Sequence, residues 1–300
     1  MLKKIIIARH HGFCMGVKRA IRIAEEMARD RSSHVTILKE IVHNDAVVEK
    51  FRQDGVQQVY SVDEVTEGTL IISAHGVEPE IKKKALQKGL KVVDATCSLV
   101  RRIYDIIDKI KDEYYIIHFG DPGHDETQGI VGHAPDRITV VLNREEMLAL
   151  PDWPDRKLAL TVQTTADLAD FLEIQNLARK KWPHIRVHKT TCNATHQRQL
   201  AILELAPKVD MVLVVGSVTS ANSNRLVKIS EPLCRRAILI NSDKDINEEW
   251  FQGKGACKSV GLTAGASTPD FLVRAVIEKL IAISKGKAEV ITQETDEMKK

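Results

Sequence analysis

The chain has 300 residues, with 44 Lys or Arg against 41 Asp or Glu, so its formal net charge is +3. Charged residues make up 28% of the chain and hydrophobic residues 43%, a globular composition that excludes a disordered or fibrous protein. The balanced charge and the 4% of aromatic residues argue against a nucleic-acid partner. A chain of this length predicts two or three domains.

The N-terminus has no pattern of a signal peptide, because its apolar run covers only Ile5 to Ala8. No segment approaches the roughly 18 apolar residues that span a bilayer. We therefore expect a cytoplasmic protein without a membrane partner, whose thiols stay reduced. The odd and sparse set of cysteines does not predict a disulfide framework. They are Cys14, Cys97, Cys192, Cys234 and Cys257.

Eleven short apolar runs, rich in β-branched residues, are predicted as strands. In chain order they are KKIIIA, HVTIL, TLIIS, KVVDA, YYIIHF, ITVVL, KLALTV, IRVHKT, DMVLVVG, AILI and SVGLTAG. Amphipathic stretches lie between several of them, such as the helical spacing of Val17, Ala20, Ile21, Ala24 and Met27. This alternation predicts βαβ units and parallel sheets, either one large sheet or several small ones.

Cys14, Cys97 and Cys192 each follow a predicted strand and begin a helical pattern. They are 83 and 95 residues apart, about the size of a small α/β domain. The simplest architecture is three similar α/β units, each with one cysteine at the carboxyl end of a strand. The predicted bounds are residues 14–96, residues 97–191, residues 192–285 together with the N-terminal strand 1–13, and a C-terminal tail over 286–300.

Polar residues that follow the predicted strands are candidates for a ligand site, because ligands of parallel sheets bind at the carboxyl edge. Neutral donors and imidazoles dominate this set, which suits a small phosphorylated ligand. Each residue has a structural alternative: Ser220, Asn222, Thr164 and Ser267 are typical helix caps. A single histidine or cysteine at a strand end is most often structural. From spacing alone, a metal or cluster site and a structural role stay equally open.

Eight strings then resemble one known family in order along the chain. They are GFCMGVKRA, EIVHNDAVV, SAHGV, DATC, QTT, TCNATHQRQ, SANSNRL and TAGASTPD. The family is that of the 4-hydroxy-3-methylbut-2-enyl diphosphate reductases, also called IspH or LytB, which act last in the non-mevalonate isoprenoid pathway. The match runs from the first strand to about Leu280.

The resemblance implies a trefoil of three α/β domains, with small and mostly parallel sheets, around a central iron–sulfur cluster. Cys14, Cys97 and Cys192 match the family's cluster ligands. Three thiolates leave one iron of a [4Fe–4S] cluster open, and an open position is what a catalytic metal needs. The implied electron donor is an external ferredoxin or flavodoxin, since the chain has no flavin or nicotinamide motif.

The resemblance also implies roles for individual residues in a reductive dehydroxylation. Glu126 matches the proton donor, with Thr164 and His124 completing the hydrogen-bonded relay. A second set of residues matches those that bind the diphosphate substrate: His43, His75, Ser220, Ala221, Asn222 and Ser267. His124 and Thr164 belong to this second set as well as to the relay.

Several positions depart from the usual family pattern. Asp121 replaces a histidine, Asp125 the proline before Glu126, His133 a glutamine and Ala221 a serine. An acid at position 125 is expected to raise the pKa of Glu126. These changes leave open a paralogue with a related substrate. Two further alternatives are a three-cysteine iron–sulfur dehydratase resembling quinolinate synthase and, if the changes abolish turnover, a non-catalytic iron–sulfur sensor. Cys234 and Cys257 are predicted to be structural thiols.

Overall fold

The computed structural model describes residues 1–29 and 34–294, and within them strands and helices alternate along the chain. The strands are β1 (Lys4–Ile7), β2 (Val35–Leu38), β3 (Gln57–Val59), β4 (Thr69–Ile72), β5 (Lys91–Asp94), β6 (Tyr115–Phe119), β7 (Ile138–Val141), β8 (Leu158–Val162), β9 (Arg186–Val187), β10 (Met211–Val215), β11 (Arg236–Ile240), β12 (Ser259–Ala264) and β13 (Glu289–Thr292). The helices are α1 (Met15–Ala28), α2 (Asp45–Gln53), α3 (Pro79–Gln87), α4 (Ser98–Ile110), α5 (Asp125–Gly132), α6 (Arg144–Ala149), α7 (Leu168–Lys181), α8 (Asn193–Leu205), α9 (Ala221–Ser230) and α10 (Asp270–Ile283).

The first of two compact units comprises Met1–Cys14, His43–Val47 and Asn193–Lys300. It contains a five-stranded sheet in the order β11-β10-β12-β1-β13, with every neighbouring pair parallel. Successive residues of β10 belong to two different hydrophobic clusters: Leu213 lies in one and Val214 in the other. This central strand is therefore covered on both faces. The carboxyl ends of β1, β10 and β12 therefore share one edge of the sheet.

The second unit comprises Met15–Val42 and Val48–Cys192, and it contains two four-stranded parallel sheets. One has the order β3-β2-β4-β5 and the other β7-β6-β8-β9. The central strands β4 and β8 are buried along their whole length, as expected for parallel sheets covered by helices. The three small parallel sheets of the two units confirm the α/β fold class.

All eleven predicted strands are present, and the structure adds the edge strands β3 and β13. Both additions have mostly exposed or half-exposed residues, so their sequences lack the apolar alternation of a buried strand. Glu289–Thr292 fall within the predicted tail, yet β13 pairs with β1. Residues 295–300 of that tail lie outside the described residues. The predicted domain bounds stay a prediction.

Within residues 1–29 and 34–294, no helix combines the length and the apolar character that crossing a lipid bilayer requires.

Candidate active site

The carboxyl group of Glu126 lies at the start of α5 and is almost completely buried, with the residue 2% exposed. Thr164, which follows β8, donates two hydrogen bonds to it. The Thr164 backbone N–H binds Oε1 at 2.7 Å and the Thr164 hydroxyl binds Oε2 at 2.6 Å. His124 caps the helix, because a ring nitrogen accepts a hydrogen bond from the Glu126 N–H at 3.1 Å.

Burial raises the pKa of Glu126 above its ordinary value, and the two hydrogen bonds from Thr164 oppose part of this rise. Asp125 is not among the causes of the shift, so the predicted effect of this extra acid on the pKa is wrong. The Asp125 carboxylate instead forms an ion pair with Lys39 at 2.7 Å. A buried carboxyl that favours its protonated form is suited to donate a proton.

Two imidazoles lie beside this acid. The rings of His75 and His124 meet edge to face with centroids 5.6 Å apart. His75 follows β4, and Gly76 after it has a φ of +79°. A Cβ at Gly76 would lie 2.2 Å from the Tyr104 hydroxyl, so both the backbone conformation and the close packing require glycine here.

Two of the three predicted cluster ligands contact this part of the second unit through their backbones. Cys97 is the N-cap of α4 and its N–H donates to the Ala74 carbonyl at 2.9 Å, next to His75. Cys192 precedes α8 and its N–H donates to the Thr164 carbonyl at 2.9 Å. A contiguous set of contacts therefore links Cys97 and Cys192 through residues of the candidate site: His75, His124, Glu126 and Thr164.

In the first unit, the loops after β1 and β12 meet at the carboxyl edge of the sheet. The Cys14 N–H donates to the Ala266 carbonyl at 3.0 Å, so Cys14 lies at this edge. Ser267 donates from its hydroxyl to the His43 carbonyl at 2.8 Å. It does not cap α10, whose N-cap is Pro269 without a side-chain bond, so the structural alternative for Ser267 as a helix cap is wrong.

The loop after β10 starts α9 with three of the predicted residues. Ser220 caps the helix by accepting a hydrogen bond from the Ser223 N–H, which is the structural role that the sequence left open. Ala221 is the first helical residue. Asn222 is only 4% exposed, and neither polar atom of its amide has a hydrogen-bond partner among the described residues. Such a buried amide is costly unless a ligand or a water binds it.

The positions that depart from the family pattern have defined structural partners. Asp121 accepts from the Gly123 N–H at 2.9 Å, and its own N–H donates to Gln163 at 2.8 Å. His133 stacks on Tyr104 with ring centroids 4.1 Å apart.

Cys257 is buried in a hydrophobic cluster of the first unit. Burial raises the pKa of Cys234.

Sequence reasoning missed two residues that adjoin the site, Tyr104 and Lys39. Tyr104 is buried on α4, where its helical spacing marks it only as a core residue, and its hydroxyl donates to the His75 carbonyl at 3.4 Å. Burial raises its pKa, and the nearby Glu126 charge adds to this rise. Nothing in the local sequence indicates the pairing of Lys39 with Asp125, because the two are 86 residues apart.

The chain is similar to known proteins along most of its length. A family model described as LytB protein matches residues 5–281. The 4-hydroxy-3-methylbut-2-enyl diphosphate reductase of Symbiobacterium thermophilum is 39% identical over 279 residues, covering 90% of this chain and 94% of the relative. The reductase of the same name from Anaplasma marginale is 40% identical over 283 residues, covering 92% of this chain and 82% of the relative.

Two solved structures share the fold. The E-1-hydroxy-2-methyl-but-2-enyl-4-diphosphate reductase from Plasmodium falciparum gives a TM-score of 0.91 at 30% identity, covering 99% of this chain and 94% of that chain. A second structure is that of an (E)-4-hydroxy-3-methyl-but-2-enyl diphosphate reductase, described as the terminal enzyme of the non-mevalonate pathway. It gives a TM-score of 0.65 at 34% identity, covering 94% of this chain and all of that chain.

Proposed function

The chain belongs to the LytB protein family, and from this membership we propose that it reduces 4-hydroxy-3-methylbut-2-enyl diphosphate to isopentenyl and dimethylallyl diphosphate. One observation carries the proposal to this chain's own residues. Thr164 donates two hydrogen bonds to the buried Glu126 carboxyl. The carbonyl of the same residue accepts a hydrogen bond from the N–H of Cys192. A proton donor and a candidate metal ligand are thus joined by a single residue.

Cys14, Cys97 and Cys192 are the proposed ligands of a [4Fe–4S] cluster. All five cysteines are thiols in the structure, and these three lie at helix starts that follow parallel strands and are partly accessible, whereas Cys257 is buried. Sulfur donors at the positive end of a helix dipole fit an anionic thiolate ligand. When bound by three thiolates, such a cluster supplies electrons and one open iron that acts as a Lewis acid toward the substrate hydroxyl.

Glu126 is the proposed source of the proton that converts the departing hydroxyl into water. Its raised pKa keeps the carboxyl protonated to a higher pH than an exposed glutamate would be. Thr164 donates a hydrogen bond to each carboxyl oxygen and thereby fixes the orientation of the carboxyl group. His124 holds the backbone of Glu126 and completes the relay.

The substrate diphosphate is proposed to be bound by neutral donors rather than by a cluster of lysines. The proposed ligands are His43, His75, His124, Thr164, Ser220, Ala221, Asn222 and Ser267. The unsatisfied amide of Asn222 and the backbone N–H groups at the start of α9 can donate to phosphate oxygens. Ala221 lacks a hydroxyl and can contribute only through its backbone N–H.

The overall reaction consumes two electrons and two protons for each substrate molecule and releases one water. The electrons come from an external donor, which we propose to be a ferredoxin or a flavodoxin. We propose a cytoplasmic location for this reaction.

Anaerobically purified protein tests the proposal with dithionite and a viologen mediator as the electron source. The wild-type protein is expected to convert the substrate to both products. Glu126→Gln is expected to keep the visible spectrum of the cluster and to lower kcat by about a hundredfold or more. Glu231→Gln, which changes an exposed carboxyl at the C-cap of α9, is the matched control and is expected to keep wild-type turnover.

Two results would contradict the proposal. A wild-type protein with an intact cluster and no turnover would exclude the reductase function. Turnover by Glu126→Gln at the wild-type rate would remove Glu126 from the role of proton donor.

A further inference from the structure

Lys39 follows β2 directly and has a φ of +60°, in the left-handed region that favours glycine. Among the described residues other than glycine, only Lys39 and Lys285 have a positive φ. The Lys39 backbone is held there by a hydrogen bond from its N–H to the Val59 carbonyl at 2.7 Å. Glycine would adopt this conformation at lower cost, so the presence of lysine points to a role of its side chain.

The Lys39 ammonium group reaches from the end of β2 to the first turn of α5. Its Nζ donates to Asp125 Oδ1 at 2.7 Å and to Gln128 Oε1 at 3.0 Å. The side chains of Lys39 and Asp125 are only 17% and 18% exposed, whereas those of the pair Lys84 and Asp63 are 50% and 63% exposed. Solvent therefore screens the Lys39 pair much less than an ordinary surface ion pair.

The first turn of α5 is the element to which Glu126 is attached. Asp125 is its first residue, His124 is its N-cap and Gln128 follows in the same turn. The turn C-terminal to it is packed closely, because a Cβ at Gly129 would lie 2.3 Å from the Tyr104 hydroxyl. On the N-terminal side, the contacts of Lys39 with Asp125 and Gln128 limit rotation and fraying of the turn.

We propose that Lys39 is a positioning residue for the reduction, because its ion pair with Asp125 fixes the first turn of α5 and thereby the position of Glu126. The inference rests on the proposed function, in which Glu126 donates a proton. Proline at the first helical position would fix the same turn through its own ring, without an ion pair. The φ of −80° and ψ of 138° at His124 are compatible with a following proline.

Four holoenzymes test this role: the wild type, Lys39→Met, Lys39→Arg, and Lys39→Met combined with Asp125→Pro. Lys39→Met removes the charge and keeps most of the length of the side chain. Lys84→Met is the matched control, since it removes an exposed ion pair to Asp63. The measurements are kcat and KM per cluster, together with hydrogen exchange of residues 124–132 by mass spectrometry.

Lys39→Met is expected to lower kcat about tenfold with KM within about twofold, because the displaced Glu126 affects the chemical step more than substrate binding. Amide exchange in the first turn of α5 is expected to become faster. Lys39→Arg restores the ion pair and is expected to return kcat to within about threefold of the wild type. Asp125→Pro is expected to recover most of the loss in the Lys39→Met background. Lys84→Met is expected to change neither kcat nor exchange.

Three results would overturn the role: a wild-type kcat and wild-type exchange in Lys39→Met, a loss expressed mainly in KM, or a loss of kcat that neither Lys39→Arg nor Asp125→Pro recovers. If the wild-type protein does not reduce the diphosphate, the proposed function fails, and the hydrogen-exchange comparison still decides whether the Lys39–Asp125 ion pair fixes the first turn of α5. Faster exchange in Lys39→Met, with wild-type exchange in Lys84→Met, then supports this role of the ion pair. Unchanged exchange in Lys39→Met overturns it.

Discussion

Glu126 combines two opposing influences on one carboxyl group. Removal from water favours its protonated form, whereas the N–H and hydroxyl of Thr164 favour the carboxylate. Burial is the larger of the two, so the native pKa exceeds the ordinary value of 4.5. The group therefore opposes folding wherever the unfolded chain has ionised and the native carboxyl has not.

This linkage gives a prediction for stability against pH. As pH rises from about 4.5 to the native pKa, the wild type is expected to lose about 1.4 kcal/mol of unfolding free energy per pH unit from this group. Glu126→Gln removes the ionisation, so the variant is expected to be more stable than the wild type at pH 7–8 and to lose this advantage below about pH 4. Urea unfolding at several pH values measures the difference, with Glu231→Gln as the exposed control. A stability difference that does not change with pH would contradict the assignment.

Sequence strings indicate candidates for the site residues, but they do not indicate the contacts that these residues make. Ser220 and Ser267 look equally like helix caps in the sequence, and only Ser220 is one. The pairing of Lys39 with Asp125 depends on two segments that the fold brings together. Burial, rather than the neighbouring acid, raises the pKa of Glu126, and burial depends on tertiary packing.

At the scale of elements, strands were easier to predict than sheet edges. The central strands β4, β8 and β10 are continuous apolar runs, because parallel sheets bury both faces. The edge strands β3 and β13 are polar and partly exposed, so they have no such signal. Whether the strands form one sheet or three depends on pairing, which periodicity does not specify.

The tight connection after β4 gives a prediction at this scale. Gly76→Ala is expected to lower the free energy of unfolding by about 2–3 kcal/mol, because the new Cβ combines a strained φ with a clash against Tyr104. Gly55→Ala is the matched control: its φ is +84°, but no atom lies within 4 Å of the added Cβ. That variant is expected to lose only about 1 kcal/mol. Equal losses in chemical denaturation would show that the packing against Tyr104 contributes nothing.

At the scale of the whole molecule, the five cysteines divide into three at helix starts and two in the body of the first unit. Cys14, Cys97 and Cys192 follow parallel strands, and Cys257 lies in a hydrophobic cluster. Cys234 donates to the Ser230 carbonyl at 3.2 Å and so has a structural partner.

This division predicts the iron content of cysteine variants. Anaerobically purified wild-type protein is expected to contain about four iron atoms per chain. Cys14→Ser, Cys97→Ser and Cys192→Ser are each expected to remove most of this iron, because a cluster with two thiolate ligands is released or degraded. Cys234→Ser and Cys257→Ala are expected to keep the wild-type content. Iron and acid-labile sulfide analysis measures each variant, and loss of iron from Cys234→Ser would contradict the ligand set.

The most direct measurement of the central claim is the stoichiometry of substrate reduction by the wild-type holoenzyme under anaerobic conditions. We predict that 4-hydroxy-3-methylbut-2-enyl diphosphate is converted to isopentenyl and dimethylallyl diphosphate, with two electrons consumed from reduced viologen for each product molecule. Mass spectrometry identifies the products and absorbance records the electrons. A protein with a full cluster that consumes no electrons in the presence of this substrate, or that releases a different product, would contradict the account.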